Sequence, residues 1–267
     1  MSAPYEFRHL AVVGNRGKMG AMLASRLSLS GYRVTGVSRT ARPDGSKGLD
    51  PQSLEEALDG ASLVLLCVPA AALPETLGAV VPLLTQEQIL MDIASVKSEP
   101  MRLMEESFSG AVIGSHPLFG PCSEPSDLRV ALVRGRRAEQ TQCRAAEELF
   151  GGMGCSTFWS SAEEHDLGTG LTQSLNFALS AAFLTTLARL GDRRFLTPSC
   201  SRHLEAAKRS LTENADMFCE FTAMNPYFSD ILEHYKKILH EAASFSQAGE
   251  PDGLNILARE AATWYAE

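Results

Sequence analysis

The sequence predicts an α/β fold, with a doubly wound parallel sheet in residues 1–160 and an all-α domain in residues 161–267. Short apolar, β-rich runs alternate with helical stretches in the first part, a pattern typical of parallel strands joined by crossover helices. A glycine-rich turn separates the first apolar run from the first helical stretch. After Ser160 the strand-like runs cease, and apolar residues recur every three or four positions, which is the spacing of helices.

Strands are expected wherever a short apolar run is bounded by polar or turn residues. These runs lie at residues 10–13, 32–37, 63–68, 89–93, 111–114, 130–133 and 156–159. The run at 63–68 is almost wholly apolar, as expected for a strand that is buried on both faces. Helices are expected at 19–29 and 51–58, and the second begins with Pro51, whose missing N–H costs nothing at a first helical position.

The second domain is expected to begin with one long helix. A single apolar stripe marks that helix, at Leu167, Leu171, Leu175, Leu179 and Phe183. Gly191, Pro198 and Pro226 are expected to interrupt the helices that follow. Because the stripe is longer than one small domain needs to bury, the sequence favours a homodimer that forms through the helical domain.

Composition excludes several classes of protein. The net charge of −8 argues against a nucleic-acid partner, because phosphate binding needs a basic face. No apolar run approaches the roughly 20 residues that span a bilayer, and the N-terminus lacks the hydrophobic segment of a secretory signal. The six cysteines include no C-x-x-C pair, so we expect reduced thiols in a cytoplasmic protein, with no metal site and no membrane partner.

The turn after the first strand predicts a dinucleotide site. It reads Gly14-Asn15-Arg16-Gly17-Lys18-Met19-Gly20. This matches the glycine fingerprint of Rossmann domains if Asn15 stands for the first glycine, since Asn tolerates a left-handed backbone better than most residues. Gly17 then lets the backbone approach a pyrophosphate, and Gly20 lets the helix pack on the strand. The helix N-terminus adds free N–H groups for the phosphates.

The end of the second strand predicts which cofactor is preferred. NAD-specific sites usually carry Asp or Glu there, to bind the ribose 2′-hydroxyl, whereas this chain has Ser38 and Arg39. Arg39 is expected to pair with a 2′-phosphate, and Ser38 to hydrogen-bond it, which favours NADP. NAD would serve equally well if Arg39 only stacked on the adenine.

Three strand ends are expected at one edge of the sheet, where open parallel sheets bind their ligands. Val68 and Pro69 end one strand and are expected near the nicotinamide. His116 follows another strand, on a loop stiffened by prolines, and is suited to withdraw a hydroxyl proton as hydride leaves the same carbon. Ser95 is expected to orient this imidazole or to bind the same hydroxyl, and Lys97 to attract an anionic substrate.

Three motifs resemble those of prephenate dehydrogenases of tyrosine biosynthesis. They are the G-x-x-G-x-M-G turn, D-I-A-S-V-K at 92–97 and H-P-L-F-G-P at 116–121. The resemblance extends from about His9 to the C-terminus, through Glu164-His165-Asp166 and Gln173. It is strongest to the dehydrogenase part of the bacterial chorismate mutase–prephenate dehydrogenase, although we expect neither a mutase domain before the first strand nor a C-terminal regulatory domain.

The resemblance implies oxidative decarboxylation of prephenate, a cyclohexadiene carboxylate, to 4-hydroxyphenylpyruvate, with hydride transfer to a nicotinamide. It implies that His116 is the catalytic histidine and Ser95 its serine partner. It also implies a substrate-binding arginine in the helical domain, for which Arg209 is the candidate and Arg202 and His203 are the substitutes. His165 is expected to be structural, bracing the long helix together with Asp166.

The chain departs from the family pattern in one place. The family commonly has a second histidine about three turns after the His-Asp pair, and a gapless reading through Gln173 puts Phe177 there, with Asn176 beside it. We therefore expect Gln173, Asn176 and Phe177 to line an altered substrate pocket. The alternative substrates are 4-amino-4-deoxyprephenate, with an amine in place of the hydroxyl, and arogenate, with an amine in place of the side-chain keto group.

Two other functions are weighed against this one. A hydroxyacid dehydrogenase on the same plan generally uses a lysine of the long helix as its acid, and residues 167–187 contain no lysine. A regulator that senses NADP without catalysis would have no need of both Ser95 and His116. Both alternatives are therefore disfavoured.

Overall fold

The computed structural model describes residues 5–41, 47–121, 128–212 and 215–266. The chain divides into two compact units. The first comprises Met1–Thr169 together with Asn214–Met224, and the second comprises Gly170–Glu213 together with Asn225–Glu267. The boundary expected at residue 160 is corrected by this division. The helix that follows belongs to the first unit, because its His165 and Asp166 bond to residues of that unit.

The first unit is built on a seven-stranded sheet flanked by helices. Its strands are β1 His9–Val13, β2 Arg33–Val37, β5 Leu63–Leu66, β6 Ile89–Asp92, β7 Ala111–Pro117, β8 Arg129–Arg134 and β9 Ser156–Ser160, and the short strands β3 Thr40–Ala41 and β4 Lys47–Gly48 pair separately. Its helices are α1 Lys18–Leu29, α2 Pro51–Leu58, α3 Leu73–Val80, α4 Ser98–Ser107, α5 Gln140–Gly152, α6 Ala162–Thr169 and α9 Ala215–Met224.

The strand order in the large sheet is β2-β1-β5-β6-β7-β8-β9. Every neighbouring pair is parallel except β7 and β8, which run antiparallel. The chain adds β2 on one side of β1 and then β5 on the other side. Sheets with such a change of direction have a crevice at the carboxyl ends of the two strands where it occurs, here β1 and β5. The predicted fold class, a doubly wound sheet followed by helices, is confirmed.

Alternate side chains of β1 enter two separate hydrophobic cores, one on each face of the sheet. Leu10 and Val12 lie in the core that α1 and α5 cover. Ala11 and Val13 lie in the core that α2, α3 and α4 cover. Because both faces are covered, the central strands are apolar at successive positions, and helices are held on both sides of the carboxyl edge.

His116 lies within strand β7, and this corrects the expectation that it lies on a loop. The strand was expected to end at Gly114, but it continues to Pro117 because β8 pairs with it in the opposite direction. His116 is opposite Ala131 in this ladder. Backbone pairing on one side therefore holds the histidine more rigidly than loop prolines would.

The second unit is helical. It contains a π-helical turn, Gly170–Leu175, and the helices α7 Asn176–Leu190, α8 Pro198–Thr212, α10 Phe228–Ala248 and α11 Pro251–Tyr265. The expected interruptions are confirmed, since α7 ends before Gly191, α8 begins at Pro198, and Pro226 lies between α9 and α10. Within the described ranges, none of the helices is both long and apolar enough to cross a membrane.

Candidate active site

Gly14 makes the tight turn that leaves β1. Its φ of +94° lies in the region that L side chains rarely adopt, and a Cβ on it would overlap the carbonyl oxygen of Cys67. Among the described residues, no residue other than glycine has a positive φ. The expectation that Asn15 takes the left-handed role of the first glycine is therefore wrong, and Gly14 has that role.

Asn15 instead ties the turn to the end of β2. Its Oδ1 accepts a hydrogen bond of 2.8 Å from the Ser38 hydroxyl, whose oxygen accepts one of 3.0 Å from the Arg16 N–H. Asn15 also packs over Gly36, where any Cβ would overlap it. Since the single proton of Ser38 is directed to Asn15, the expected hydrogen bond from Ser38 to a 2′-phosphate is not available in this arrangement.

The N-terminus of α1 fits the diphosphate of a dinucleotide. Gly17 caps the helix without a side-chain hydrogen bond, whereas Asp50 caps α2 by accepting from the Ser53 N–H. A Cβ on Gly20 would overlap the carbonyl oxygen of Gly14, so the helix packs as close to the turn as glycine allows. The first N–H groups of α1 thus remain available to an anion, with the positive end of the helix dipole behind them.

The structure brings the remaining predicted cofactor residues to the same turn or next to it. Arg16 and Lys18 are exposed and Met19 is half-buried. Val68, just beyond β5, lies within 3.3 Å of the position that a Cβ on Gly14 would occupy, and the exposed Pro69 follows it. Arg39 is exposed just beyond β2.

His116 is buried and bonded to a second histidine. Its Nδ1 lies 2.9 Å from Nε2 of His165, while the side chain keeps 5% of its surface exposed. Nε2 of His116 has no hydrogen-bond partner among the described residues. Burial, with the nearby His165 and Lys97, holds the pKa of His116 well below the 6.5 of a free imidazole. His116 is therefore neutral at physiological pH, as a general base must be.

Asp166 anchors this histidine pair. Its Oδ1 lies 2.8 Å from Nδ1 of His165 and accepts the Lys97 N–H at 2.6 Å, and its Oδ2 accepts the Ser98 N–H at 2.8 Å. Burial alone would raise the pKa of Asp166, but the hydrogen bonds from His165 and from the two N–H groups lower it below the ordinary value. The carboxylate is therefore ionised and links α6 to the start of α4.

Lys97 is fully buried and does not bind substrate. Its Nζ donates to Oδ1 and Oδ2 of Asp92, at 2.7 and 2.6 Å, and to the backbone oxygen of Ser115 at 2.8 Å. All three N–H bonds of the ammonium group are used in this way. The expectation that Lys97 attracts an anionic substrate is therefore wrong. The lysine instead fastens the end of β6 to the residue before His116.

Ser95 lies on the loop between these two anchors. Asp92 holds the start of the loop by accepting the Ala94 N–H at 3.0 Å, and Lys97 ends it at the start of α4. The Ser95 side chain is half-buried, and it makes no hydrogen bond to His116. In this structure His165, not Ser95, hydrogen-bonds to the imidazole of His116, and the binding of a substrate hydroxyl by Ser95 stays a prediction.

The predicted substrate residues of the helical half lie in the second unit. Gln173 is half-buried in the π-helical turn, and Asn176 and Phe177 begin α7, exposed and half-buried respectively. Arg209 is exposed in the last turn of α8, with Arg202 and His203 exposed earlier in the same helix. Their roles toward a substrate stay predictions.

The sequence reasoning missed His165 as a partner of His116, the candidate base. It treated the His165-Asp166 pair as a brace of the long helix, but His165 bonds to His116, 49 positions away in the chain. A buried carboxylate next to a histidine was the signal that was available. The sequence did not show which residue this histidine contacts, because only the packing of α6 within the first unit brings the rings of His165 and His116 together.

Comparisons with known proteins support a nucleotide-binding domain in the first unit. The family model described as "Prephenate dehydrogenase, nucleotide-binding domain" matches residues 34–146. The T-protein of Enterobacter agglomerans is 26% identical over 268 residues, covering 98% of this chain and 69% of that protein.

Two solved structures show the same fold. Prephenate dehydrogenase from A. aeolicus, in complex with hydroxyphenyl propionate and NAD⁺, has a TM-score of 0.79 at 17% identity, covering 98% of this chain and 99% of that one. Synechocystis arogenate dehydrogenase has a TM-score of 0.75 at 20% identity, covering 97% of this chain and 99% of that one.

A turn that suits a dinucleotide and a buried, neutral imidazole lie on the same sheet, and groups of these kinds suit the removal of a hydride and a proton from one carbon. It is an oxidoreductase of the Rossmann type. The matched family model and the relative that spans nearly the whole chain narrow the class further. These comparisons support the prephenate dehydrogenase family, as the three motifs indicated.

Proposed function

We propose that this protein catalyses the oxidative decarboxylation of prephenate to 4-hydroxyphenylpyruvate, with hydride transfer to NADP, in aromatic amino acid biosynthesis. One observation carries the proposal: His116 is a neutral, rigidly held imidazole with one unpartnered nitrogen, at the carboxyl edge of a nucleotide-binding sheet. The similarity of the chain to prephenate dehydrogenases supports the substrate class.

In the proposed reaction, Nε2 of His116 takes the proton of the 4-hydroxyl as the hydride leaves C4. When bound, the nicotinamide supplies the hydride acceptor. The ring carboxylate departs as CO₂, its bonding electrons complete the aromatic ring, and the 4-oxygen takes back the proton from His116, which leaves the histidine neutral for the next turnover. Ser95, whose hydroxyl is free of other bonds among the described residues, donates to or accepts from the same 4-oxygen and so aligns it with His116.

A second candidate substrate follows from the start of α7. Phe177 and Asn176 stand where a histidine is common in the family, so a polar contact to substrate is replaced by an aromatic ring. This change favours a substrate that differs from prephenate by one polar group. The candidates are 4-amino-4-deoxyprephenate and arogenate, and each would lose its ring carboxylate by the same chemistry at His116.

The experiment offers purified protein each of the three cyclohexadienes with NADP and with NAD. Formation of reduced nicotinamide is followed by absorbance, and chromatography identifies the aromatic product. We expect turnover of one of the three with kcat/KM at least tenfold above the others. Absence of turnover with all three, in protein that still binds NADP, would contradict the proposed function.

Arg39 is proposed to select NADP. It is the exposed cation beside Ser38 at the end of β2, and a guanidinium pairs well with a 2′-phosphate. We expect Arg39→Ala to lower kcat/KM with NADP by about 10- to 100-fold, the value of a charge-assisted hydrogen bond, and to change kcat/KM with NAD less than threefold. Arg33→Ala is the matched control, because Arg33 is exposed at the opposite end of the same strand. A wild-type preference for NAD above tenfold would refute this proposal.

We also propose that the protein is a homodimer through its helical unit, in the cytoplasm. Large apolar side chains remain exposed on that unit, among them Leu190 at 84% and Trp264 at 80%. The described cysteines are all free thiols, which suits a reducing compartment. A monomeric mass by light scattering at micromolar concentration would exclude the dimer.

A further inference from the structure

We propose that His165 and Asp166 are positioning residues that hold His116 in the one tautomer able to act as a base. The structural feature is a buried chain of three groups, running from the Asp166 carboxylate through His165 to His116. The inference rests on the proposed role of His116 and adds to it. His165 and Asp166 do not touch the reacting atoms; they determine which nitrogen of His116 carries the proton.

The chain of hydrogen bonds begins at an acceptor that has no proton to give. Asp166 receives the N–H groups of Lys97 and Ser98, so its oxygens already serve as acceptors for two fixed donors. The same bonds keep its pKa low and the group ionised. The 2.8 Å contact to Nδ1 of His165 therefore requires that Nδ1 carry a proton.

The remaining protons follow in order. In the proposed arrangement His165 carries one ring proton, on Nδ1, and a lone pair on Nε2, so the 2.9 Å contact places the proton of His116 on its Nδ1. Nε2 of His116 then carries the lone pair, and it is the nitrogen without a partner among the described residues. The lone pair of His116 therefore lies on Nε2. The cause is Asp166, at the other end of this chain of hydrogen bonds, whose ionised carboxylate can only accept hydrogen bonds.

Among the described residues, no other side chain hydrogen-bonds the ring of His116, and only Asp166 and His116 hydrogen-bond the ring of His165. The charged groups near the pair are Asp166 on α6, Lys97 at the start of α4 and Asp92 at the end of β6. Lys97 and Asp92 are bonded to each other, and the Lys97 ammonium group has no donor left for either ring. The orientation of His116 therefore depends on His165.

This buried chain of three groups also explains why the Asp166 carboxylate joins the two helices α6 and α4. Asp166 is on α6, and the N–H groups that it binds begin α4, directly after the loop that carries Ser95. A single group thereby sets the tautomer of His116 and the end of the Ser95 loop. Both partners of the substrate hydroxyl are positioned by the same carboxylate.

Two variants of His165 separate positioning from mere packing. In His165→Phe the acceptor for the Nδ1 proton is lost, and we expect kcat to fall about 10²-fold while KM changes less than threefold. In His165→Gln the side-chain oxygen can again accept that proton, and we expect kcat to recover to within about tenfold of wild type. Glu163→Gln, an exposed change on the same helix, is the control and should leave kcat unchanged.

Nitrogen NMR of histidine-labelled protein tests the tautomer without any substrate. His116 is assigned by the signals that disappear in His116→Gln. We expect wild-type His116 to show a protonated Nδ1 and an unprotonated Nε2, and His165→Phe to show a mixture of both tautomers. Asp166→Asn should also give a mixture of tautomers. The asparagine amide cannot accept from the N–H groups of both Lys97 and Ser98 and also hold the proton of His165 on Nδ1.

The outcomes distinguish this inference from the proposed function. A wild-type His116 with its proton on Nε2, or a His165→Phe variant with kcat within threefold of wild type, overturns the positioning role. Failure of all three cyclohexadienes to react would overturn the proposed function alone, because the nitrogen signals would still decide the tautomer.

Discussion

His116→Gln is expected to lower kcat by about 10³-fold, the largest effect on activity of any single change in this protein. Glutamine keeps a polar side chain of similar length but has no nitrogen that can take a proton from the substrate hydroxyl. KM should change little, because the base acts in the transition state more than in binding. The measurement is steady-state turnover of the accepted cyclohexadiene with NADP.

The control for this variant is His240→Gln, which changes an exposed histidine on α10. The pH profile supplies a second test. Since burial, His165 and Lys97 hold the pKa of His116 well below 6.5, kcat/KM should stay constant as pH falls through 6.5 and decline only at more acidic pH. A His116→Gln variant with near-wild-type kcat, or an acidic limb centred above pH 6.5, would contradict the role of His116.

Lys97→Met is expected to cause the largest loss of stability, about 3–5 kcal/mol in the free energy of unfolding of the first unit. Methionine fills a similar volume, but it leaves the Asp92 carboxylate buried without the ammonium group that now binds both of its oxygens. The Ser115 oxygen also loses its donor. Both consequences act at the end of β6 and at the residue before His116.

Chemical unfolding followed by Trp159 fluorescence measures this effect. A Trp264→Phe background removes the second tryptophan, so that Trp159 on β9 reports on the sheet alone. Arg102→Ala is the matched control: Arg102 forms exposed ion pairs with Glu99 and Glu106 on α4, and its loss should cost less than about 1 kcal/mol. Equal losses of unfolding free energy in Lys97→Met and Arg102→Ala would show that the buried Lys97–Asp92 pair stabilises the protein no more than the exposed ion pairs of Arg102.

The double variant Lys97→Met with Asp92→Asn separates charge from packing. Neutralising the orphaned carboxylate should recover part of the stability that Lys97→Met removes, because an uncharged amide costs less to bury than an unpaired ion. No recovery would assign the loss to packing around the lysine stem.

Much of the first unit was predictable because its signals are local. Apolar runs mark the strands, and α2 begins and ends where predicted, since Pro51 and the Asp50 cap define its start within a few residues. The dinucleotide turn was predictable for the same reason. Its one error, the role of Asn15, arose because which residue becomes left-handed depends on the Cys67 carbonyl, which belongs to a different strand.

Errors elsewhere concern residues whose partners are distant in sequence. Lys97 appeared to be a surface cation near a substrate, but Asp92 and the Ser115 carbonyl accept hydrogen bonds from all three N–H bonds of its ammonium group. His116 appeared to follow a strand, but the antiparallel β8 extends that strand through it. In both cases the polar residue itself was recognised and its surroundings were not.

The sequence by itself determined the nucleotide-binding sheet, and it indicated the prephenate dehydrogenase family and predicted His116 as the base, because each of these depends on residue types in a short stretch of chain. Only the tertiary structure decided how that histidine is oriented. His165 hydrogen-bonds to it from 49 positions away in the chain, and Asp166 hydrogen-bonds to His165. Hydrogen bonds between residues that are distant in sequence depend on packing, and packing depends on contacts between segments, which no single segment determines.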